Sequence, residues 1–497
     1  MTSWPSAPEP DVSADHPISE HWVYTGAHRP PMPRALTDHM THKWQTPPLP
    51  SDQHPEVARF AARRDALSRA LPGATLVIPS GNYKVRSHDT DYRFRTTVDF
   101  YYLTGCQDAD VVLVMTPVAG GHVATLYVAP RRDQSTHEFF TDSRYGELWV
   151  GARRGLRETA QYFAIATRDL ALLRDDLAGL AGTEILVERG VDAPVDVMVA
   201  AAPRDAMIAA TLSDHRLVKD AFEIAQLRAA VDFTILGFED VVRALPTAQR
   251  RGERVIEGVF NLRARVEGND VGYNTIAASG SNATILHWME NNGPVKDGDL
   301  LLLDAGVEVN ELYTADVTRT MPVNGRFSPA QRRLYDIVLR ASNAAIAALR
   351  PGIPFITSHQ TAMRVLAEGL VELGILDHDI DTIVRKDRQL HRRYTLHGTS
   401  HMLGLDVHDC TLSRDAHNEG SLEAGYVMTV EPGLYFQWND LTVPEEYRGI
   451  GIRIEDDILI TNDGAVNLSA ALPRDPDAIE SWMAALWAEG PGDLSRS

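Results

Sequence analysis

Cysteine is nearly absent from this chain: there are two in 497 residues, Cys106 and Cys410. A disulfide framework is therefore excluded, and the usage suits a reducing cytoplasm. Long apolar runs are missing as well. No stretch approaches the roughly 20 residues that a membrane-spanning helix needs, so no membrane association is expected. The N-terminus, Met1-Thr-Ser-Trp-Pro-Ser-Ala-Pro-Glu-Pro-Asp11, has neither a basic start nor an apolar stretch and does not read as a signal peptide. Basic residues are outnumbered, 48 against 68 acidic, giving a formal charge of −20. That balance argues against nucleic acid as a partner. Its simplest use is solubility.

What is present is enough for two globular domains. Residues 1–50 are rich in Pro, His and Asp and read as an extended or partly disordered leader. Residues 51–213 alternate. A helix is expected over Pro55–Leu71, then β runs at Ala74–Ile78, Asp99–Leu103, Val111–Met115 and Val123–Val128. Helical stretches between Glu158 and Leu180 and a β run at Glu184–Glu188 complete an α/β domain. Residues 214–497 open with a long helical segment, His215–Leu245, and a second helix over Gly252–Glu267. Ser328-Pro329 is a cap followed by proline at the first helical position. Leu334, Val338, Ala341, Ala345 and Ala348 then repeat at threes and fours and mark one buried face. A further helix is expected over Ile356–Leu373.

The chemistry gathers at the ends of β runs in this second half. Leu300–Leu303 leads into Asp304, and Asp316 lies twelve residues on, beyond a turn-like Val-Asn-Glu segment. A carboxylate ending a buried strand is costly unless paired or metal-bound. Two antiparallel strands around the turn would bring both Asp side chains to one point; a hairpin with exposed carboxylates fits the segment equally well. Val427–Val430 leads into Glu431, directly before Pro432-Gly433, where a strand must stop. Ile450, Ile452 and Ile454 alternate with Gly451, Arg453 and Glu455, so Arg453 and Glu455 share one face. Glu455-Asp456-Asp457 also reads as a solvated charge run. His397 and His401 have the spacing of a helical zinc pair, but Gly398 and Gly404 oppose a helix and no Glu follows His397. His401 is the better single ligand, although a lone histidine is more often structural. Oxygen-rich donors favour hard or borderline ions such as Mn²⁺.

Together, Asp304, Asp316, His401, Glu431 and Glu455 resemble the five-ligand signature of the pita-bread metallopeptidases, which include methionine aminopeptidase, prolidase and aminopeptidase P. Other segments share the likeness. Asn274-Thr-Ile-Ala-Ala-Ser-Gly280 with Leu286-His287, the run His397–Asp409, and Arg216, Lys219 and Glu223-Ile224 resemble the catalytic domain. Arg93, Asp99-Phe-Tyr-Tyr-Leu-Thr-Gly105, Trp149, Gly151 and Arg153 are similar to the N-terminal domain of bacterial aminopeptidase P. The likeness spans about residues 55 to 470.

The resemblance implies a creatinase/aminopeptidase P-type α/β domain followed by a pita-bread catalytic domain. It implies two divalent metal ions, Mn²⁺ first with Co²⁺ and Zn²⁺ as alternatives. Asp304 would hold one ion, His401 and Glu431 the other, and Asp316 and Glu455 both. A hydroxide between the ions would attack the amide before proline, with Glu431 taking its proton. His287 and His408 would contact substrate, His408 steadying the oxyanion or passing protons. His397 would line the proline pocket, and Arg453 would orient a bridging carboxylate. The implied activity is Xaa-Pro aminopeptidase, on peptides with proline second. Prolidase is the alternative enzyme, and a non-catalytic pita-bread binding module the alternative class. Relatives imply a homodimer or homotetramer.

Two departures stand out. The Asp304–Asp316 interval is one residue longer than usual in the family, so either the turn absorbs a residue or the register slips. Arg414-Asp-Ala-His-Asn-Glu-Gly420 also lacks an arginine that family members are thought to use on the far end of the substrate, which bears on preferred peptide length.

Overall fold

The structure is a computed structural model that describes residues 22–23, 32–45, 52–180, 182–413, 420–490 and 492. The leader expected over residues 1–50 lies largely outside the described residues, and so do residues 414–419, where an arginine was missed. The chain divides into two compact units, one ending at Ile208 and one beginning at Ala209. Among the described residues, no helix is long and apolar enough to cross a membrane.

The first unit is built on five strands: β1 (Thr75–Pro79), β2 (Val112–Val118), β3 (Gly121–Val128), β4 (Ala166–Asp169) and β5 (Ile185–Val187). They lie in the order β4-β3-β2-β1-β5. The β1–β2 and β2–β3 pairs are antiparallel, and the two outer strands join parallel. β1 is buried along its whole length, which is why it reads as an unbroken apolar run. Helix α1 (Val57–Ala70) precedes it.

One expectation fails in this unit. Residues 99–103 are not a strand; they belong to helix α2 (Val98–Thr104). Asp99 through Leu103 are all buried, so no exposed face existed for a periodicity to reveal. Gly105 closes the helix at φ 69°, donating its N–H to the Tyr101 carbonyl. The helical stretches expected between Glu158 and Leu180 are present, with a short strand between them that was not expected. Helix α3 (Leu156–Phe163) stops where Ala164 turns left-handed at φ 52°, β4 intervenes, and helix α4 (Leu173–Ala178) follows.

In the second unit the opening helix differs from its expected bounds. A helix over Met207–His215 comes first, and the chain breaks at Arg216–Asp220. Helix α5 then runs over Ala221–Arg251, continuing through Pro246. Asp220 sets the start: its carboxylate accepts from the N–H groups of Phe222 and Glu223, and Glu223 reaches back to the Asp220 N–H. Helix α6 (Arg254–Glu267) follows and packs against it. Three strands follow, β6 (Ile276–Ser279), β7 (Leu300–Ala305) and β8 (Val317–Pro322), forming one antiparallel sheet in the order β6-β7-β8.

Helix α7 (Pro329–Ala347) starts at Ser328 with the expected cap, reciprocated by Gln331, and buries Leu334, Val338, Ala341 and Ala345; Ala348 lies just past its end as the C-cap and is only partly buried. It lies against α8 (Thr357–Glu372). There Gly369 leaves room for Ile337; a methyl group at Gly369 would stand 2.3 Å from its Cγ2. Five longer strands come later: β9 (Val427–Val430), β10 (Gly433–Phe436), β11 (Ile450–Arg453), β12 (Asp456–Thr461) and β13 (Gly464–Asn467). They form an antiparallel set β9-β12-β13 and a hairpin β10-β11.

Gly306 carries the β7–β8 hairpin past a crowded point. A Cβ there would lie 1.7 Å from the Ala315 carbonyl oxygen, a backbone atom that cannot swing aside. Gly306→Ala should lower stability by about 2–4 kcal/mol, read as a shift in the denaturant midpoint. An unchanged midpoint would show that the hairpin opens freely enough to take a methyl group.

Candidate metal centre

β7 brings Asp304 to the edge of a cavity, and β8 begins one residue after Asp316. Pairing is unbroken from Leu300↔Pro322 to Ala305↔Val317, so the register has not slipped. The longer interval is taken up in the turn. Leu312 adopts φ 64°, its N–H meets the Val309 carbonyl at 2.8 Å, and the Val309 N–H meets Tyr313 at 2.9 Å.

The other side chains arrive from three separate segments. His401 sits on an irregular stretch, not a helix, held by its N–H on Thr429 Oγ1 (3.1 Å) and by Nδ1 against the Met402 carbonyl (3.1 Å). Glu431 leaves the end of β9, and Glu455 lies between β11 and β12. His401 Nε2 is 3.2 Å from Asp316 and 3.5 Å from Glu431. Asp316, His401 and Glu455 each offer a ligand atom within 4.8 Å of the others, so these three could hold a metal ion. Asp304 accepts from Tyr273 Oη at 2.7 Å and from the Arg453 guanidinium. Glu455 accepts from Thr318 Oγ1 at 2.6 Å. Arg453 also donates Nε to that hydroxyl at 3.1 Å and Nη1 to Tyr435 Oη at 2.9 Å. Arg453 and Glu455 thus meet through Thr318.

The electrostatics show a site with too much negative charge for its fixed cations. Burial, and the Asp304 charge beyond it, push Asp316 up to about 6 against the relief His401 gives. Burial and the charges of Asp316, Glu431 and Asp304 hold Glu455 well above the usual carboxylate range. Burial opposes ionisation of Glu431, but its hydrogen bond from His397 and the charges of His397, His401 and Arg453 outweigh it and lower its pKa. Burial likewise works against His401⁺, yet Asp316 and Glu431 raise it to about 9. Three buried carboxylates and the half-buried Glu431, meeting Arg453, His397 and His401, are a donor set suited to divalent cations.

The cavity holds about 560 Å³. It is lined by all five of these residues together with His287, His397, His408 and Arg453, and by the apolar Ile276, Leu286, Met289 and Phe355. Every site residue expected from the sequence is therefore in one place. His397 places Nε2 2.8 Å from Tyr435 Oη and Nδ1 3.3 Å from Glu431. The ring of His408 stands edge-on to that of His401, centroids 4.3 Å apart. Burial and the His401 charge lower its pKa and favour the neutral form. Asp456 and Asp457 are not a solvated run but are fully buried, Asp456 on Arg319 (2.8 Å) and Asp457 accepting the Asp316 N–H at 3.1 Å.

Sequence reasoning passed over Tyr273, Thr318 and Tyr435. Thr318 carried a signal: two residues beyond Asp316 on a strand, it shares that residue's face. The two tyrosines carried none, since each meets a partner far along the chain.

Residues 60–185 match the aminopeptidase P N-terminal domain, and residues 225–462 match metallopeptidase family M24. Xaa-Pro aminopeptidase 1 of Streptomyces coelicolor is 50% identical over 490 residues, covering 97% of this chain and 98% of that protein. Xaa-Pro aminopeptidase of Escherichia coli is 37% identical over 457 residues, covering 86% and 99%. The zinc-substituted E. coli aminopeptidase P in complex with product superposes with a TM-score of 0.78 at 34% identity, over 88% of this chain and 99% of that one.

A cation entering this cluster at pH 7 should release protons. His401, raised to about 9 from its ordinary 6.5, is protonated there, and only the neutral imidazole can coordinate. The stabilisation that His401⁺ gives the metal-free protein is complete below pH 6.5 and lost as pH rises through about 9, so cation affinity should climb over the same window. Calorimetric titration in two buffers of different ionisation heat measures this. Equal heats in both would mean that no proton leaves and that His401 is not displaced from its ion pairs.

Proposed function

Because the chain belongs to metallopeptidase family M24, with an aminopeptidase P N-terminal domain and Xaa-Pro aminopeptidases as its relatives, we propose that it releases the N-terminal residue from peptides with proline in second position. The observation that carries this reading is the convergence of four carboxylates and His401 at the wall of a cavity lined by three further histidines.

In this reading Asp304 would hold one divalent cation and His401 and Glu431 a second, with Asp316 and Glu455 available to either. Mn²⁺ suits the oxygen-rich set best, ahead of Co²⁺ and Zn²⁺. Bound there, the cations supply water of lowered pKa and polarisation of the scissile carbonyl.

The chain's own groups do the rest. Glu431 is kept ionised by His397 and Arg453 and accepts the proton that the attacking water loses. His408, neutral beside His401, donates an N–H hydrogen bond toward the oxyanion, or relays to the leaving proline nitrogen the proton that Glu431 took from the attacking water. His287 contacts the substrate from the opposite segment, and His397, fixed by Tyr435, lines the proline pocket. Arg453 holds Asp304 in orientation and, through Thr318, Glu455 as well. The boundary near residue 213 separates the two functional halves in this reading. Buried, unbridged Cys106 and Cys410 support a reducing, cytoplasmic setting. The family likeness adds assembly as a homodimer or homotetramer.

The deciding experiment is hydrolysis of Gly-Pro-Ala and Gly-Pro by metal-stripped protein, before and after Mn²⁺ is added. Mn²⁺-dependent release of glycine from the tripeptide is expected. Cleavage of the dipeptide alone would make the protein a prolidase. Cleavage of neither, with metal bound, would leave a binding module.

A further inference from the structure

Glu253 is fully buried at the start of α6, outside the cavity lining, and none of the chemistry above uses it. Its carboxylate nevertheless receives four N–H donors. Oε1 accepts from the Ser279 backbone at 2.8 Å and from Asn282 Nδ2 at 2.8 Å. Oε2 accepts from Trp288 Nε1 at 2.8 Å and from the Gly293 backbone at 2.6 Å. The Glu253 N–H closes the arrangement on the Gly293 carbonyl at 3.0 Å. All four donors come from one segment, residues 279–293, and His287 lies within it, next to Trp288.

The segment is tailored to this centre. At Gly293 a Cβ would fall 2.2 Å from Asn282 Nδ2 and 2.8 Å from Glu253 Oε2, so a larger residue would push both groups off their present hydrogen bonds. Beyond His287, Asn291 is buried at φ 44°. It ties the returning chain to β6, accepting from the Ala277 N–H (2.9 Å) and donating to the Thr275 carbonyl (2.9 Å). A carboxylate is the one side chain of this length with two acceptor oxygens and no donor. Glutamine would aim an amide N–H₂ at one of the two donor pairs.

We propose that Glu253 is a positioning residue: it fixes the 279–293 segment from behind and thereby sets where His287 meets the substrate. The inference rests on the peptidase reading for what His287 does, but not for the order of the segment. Displacements of about 1 Å at a reacting centre can cost about a hundredfold in rate, and one buried carboxylate controls the whole segment here.

The test is a double-mutant cycle with Glu253→Gln and His287→Ala on the Mn²⁺-loaded protein, reading kcat and KM for Gly-Pro-Ala alongside bound metal and hydrogen exchange. Glu253→Gln alone should lower kcat/KM by about 10- to 100-fold, chiefly through KM, with metal content unchanged and faster exchange confined to 279–293. In the His287→Ala background the same substitution should cost only a small part of that. Equal losses in both backgrounds would overturn the proposal, as would unchanged exchange across 279–293. Wild-type protein that leaves the tripeptide intact overturns the peptidase reading, whereas the exchange result still decides whether Glu253 orders the segment. Should Glu253→Gln not fold, Trp288→Phe takes its place in the cycle; it removes one donor and leaves three.

Discussion

Negative charge taken out of water is the constraint around which the second unit is arranged. Asp304, Asp316, Glu431 and Glu455 are brought together from strand ends where the backbone is already committed to pairing, so none can retreat to solvent. Uncompensated, such a group of carboxylates would favour opening the fold or taking up protons. The raised pKa values of Asp316 and Glu455 are the second response, visible in place. Arg453 and His401⁺ offset part of the repulsion, and the cluster is held open as a ready receptor for cations.

That arrangement needs rigid supports, and they form a continuous frame behind the cavity. Thr318 serves two neighbours at once, accepting from Arg453 and donating to Glu455. Arg319, one residue along, turns the other way and pairs with Asp456 in a fully buried ion pair. Strand alternation therefore separates two charge systems with one peptide step. On the histidine side, Asp409 performs the same service. It accepts from Arg216 at 3.0 Å and from the N–H groups of Leu405 and Cys410, clamping the turn between His401 and His408. Gly404 is required there, because a Cβ would lie 2.2 Å from Asp409 Oδ2.

The residues that face the cavity were legible in the sequence, and those that hold them were not. Asp304 after four leucines and Glu431 before Pro-Gly announce themselves because strand termination and buried charge are local events. Glu253, Tyr273 and Tyr435 act through partners that the chain order does not bring near. The burial of Asp456 and Asp457 was missed for the same reason: their compensation comes from Arg319 and from the Asp316 backbone, more than a hundred residues earlier. Local form was misread where burial is complete. In α2 every residue from Asp99 to Leu103 is hidden, so the alternation that separates strand from helix has nothing to act on. The start of α5 was misplaced because Asp220, not His215, supplies the cap.

The turn at Leu312 has a consequence for how such chains diverge. Its left-handed residue takes up added length outside the β7–β8 ladder, leaving Asp304 opposite Thr318 and Asp316 at the strand entrance. A residue added at this tip would leave the pairing of the two strands unchanged, although Val309, Leu312 and Tyr313 are buried there. A single residue gained inside either strand would rotate every following side chain to the opposite face and exchange donors for core.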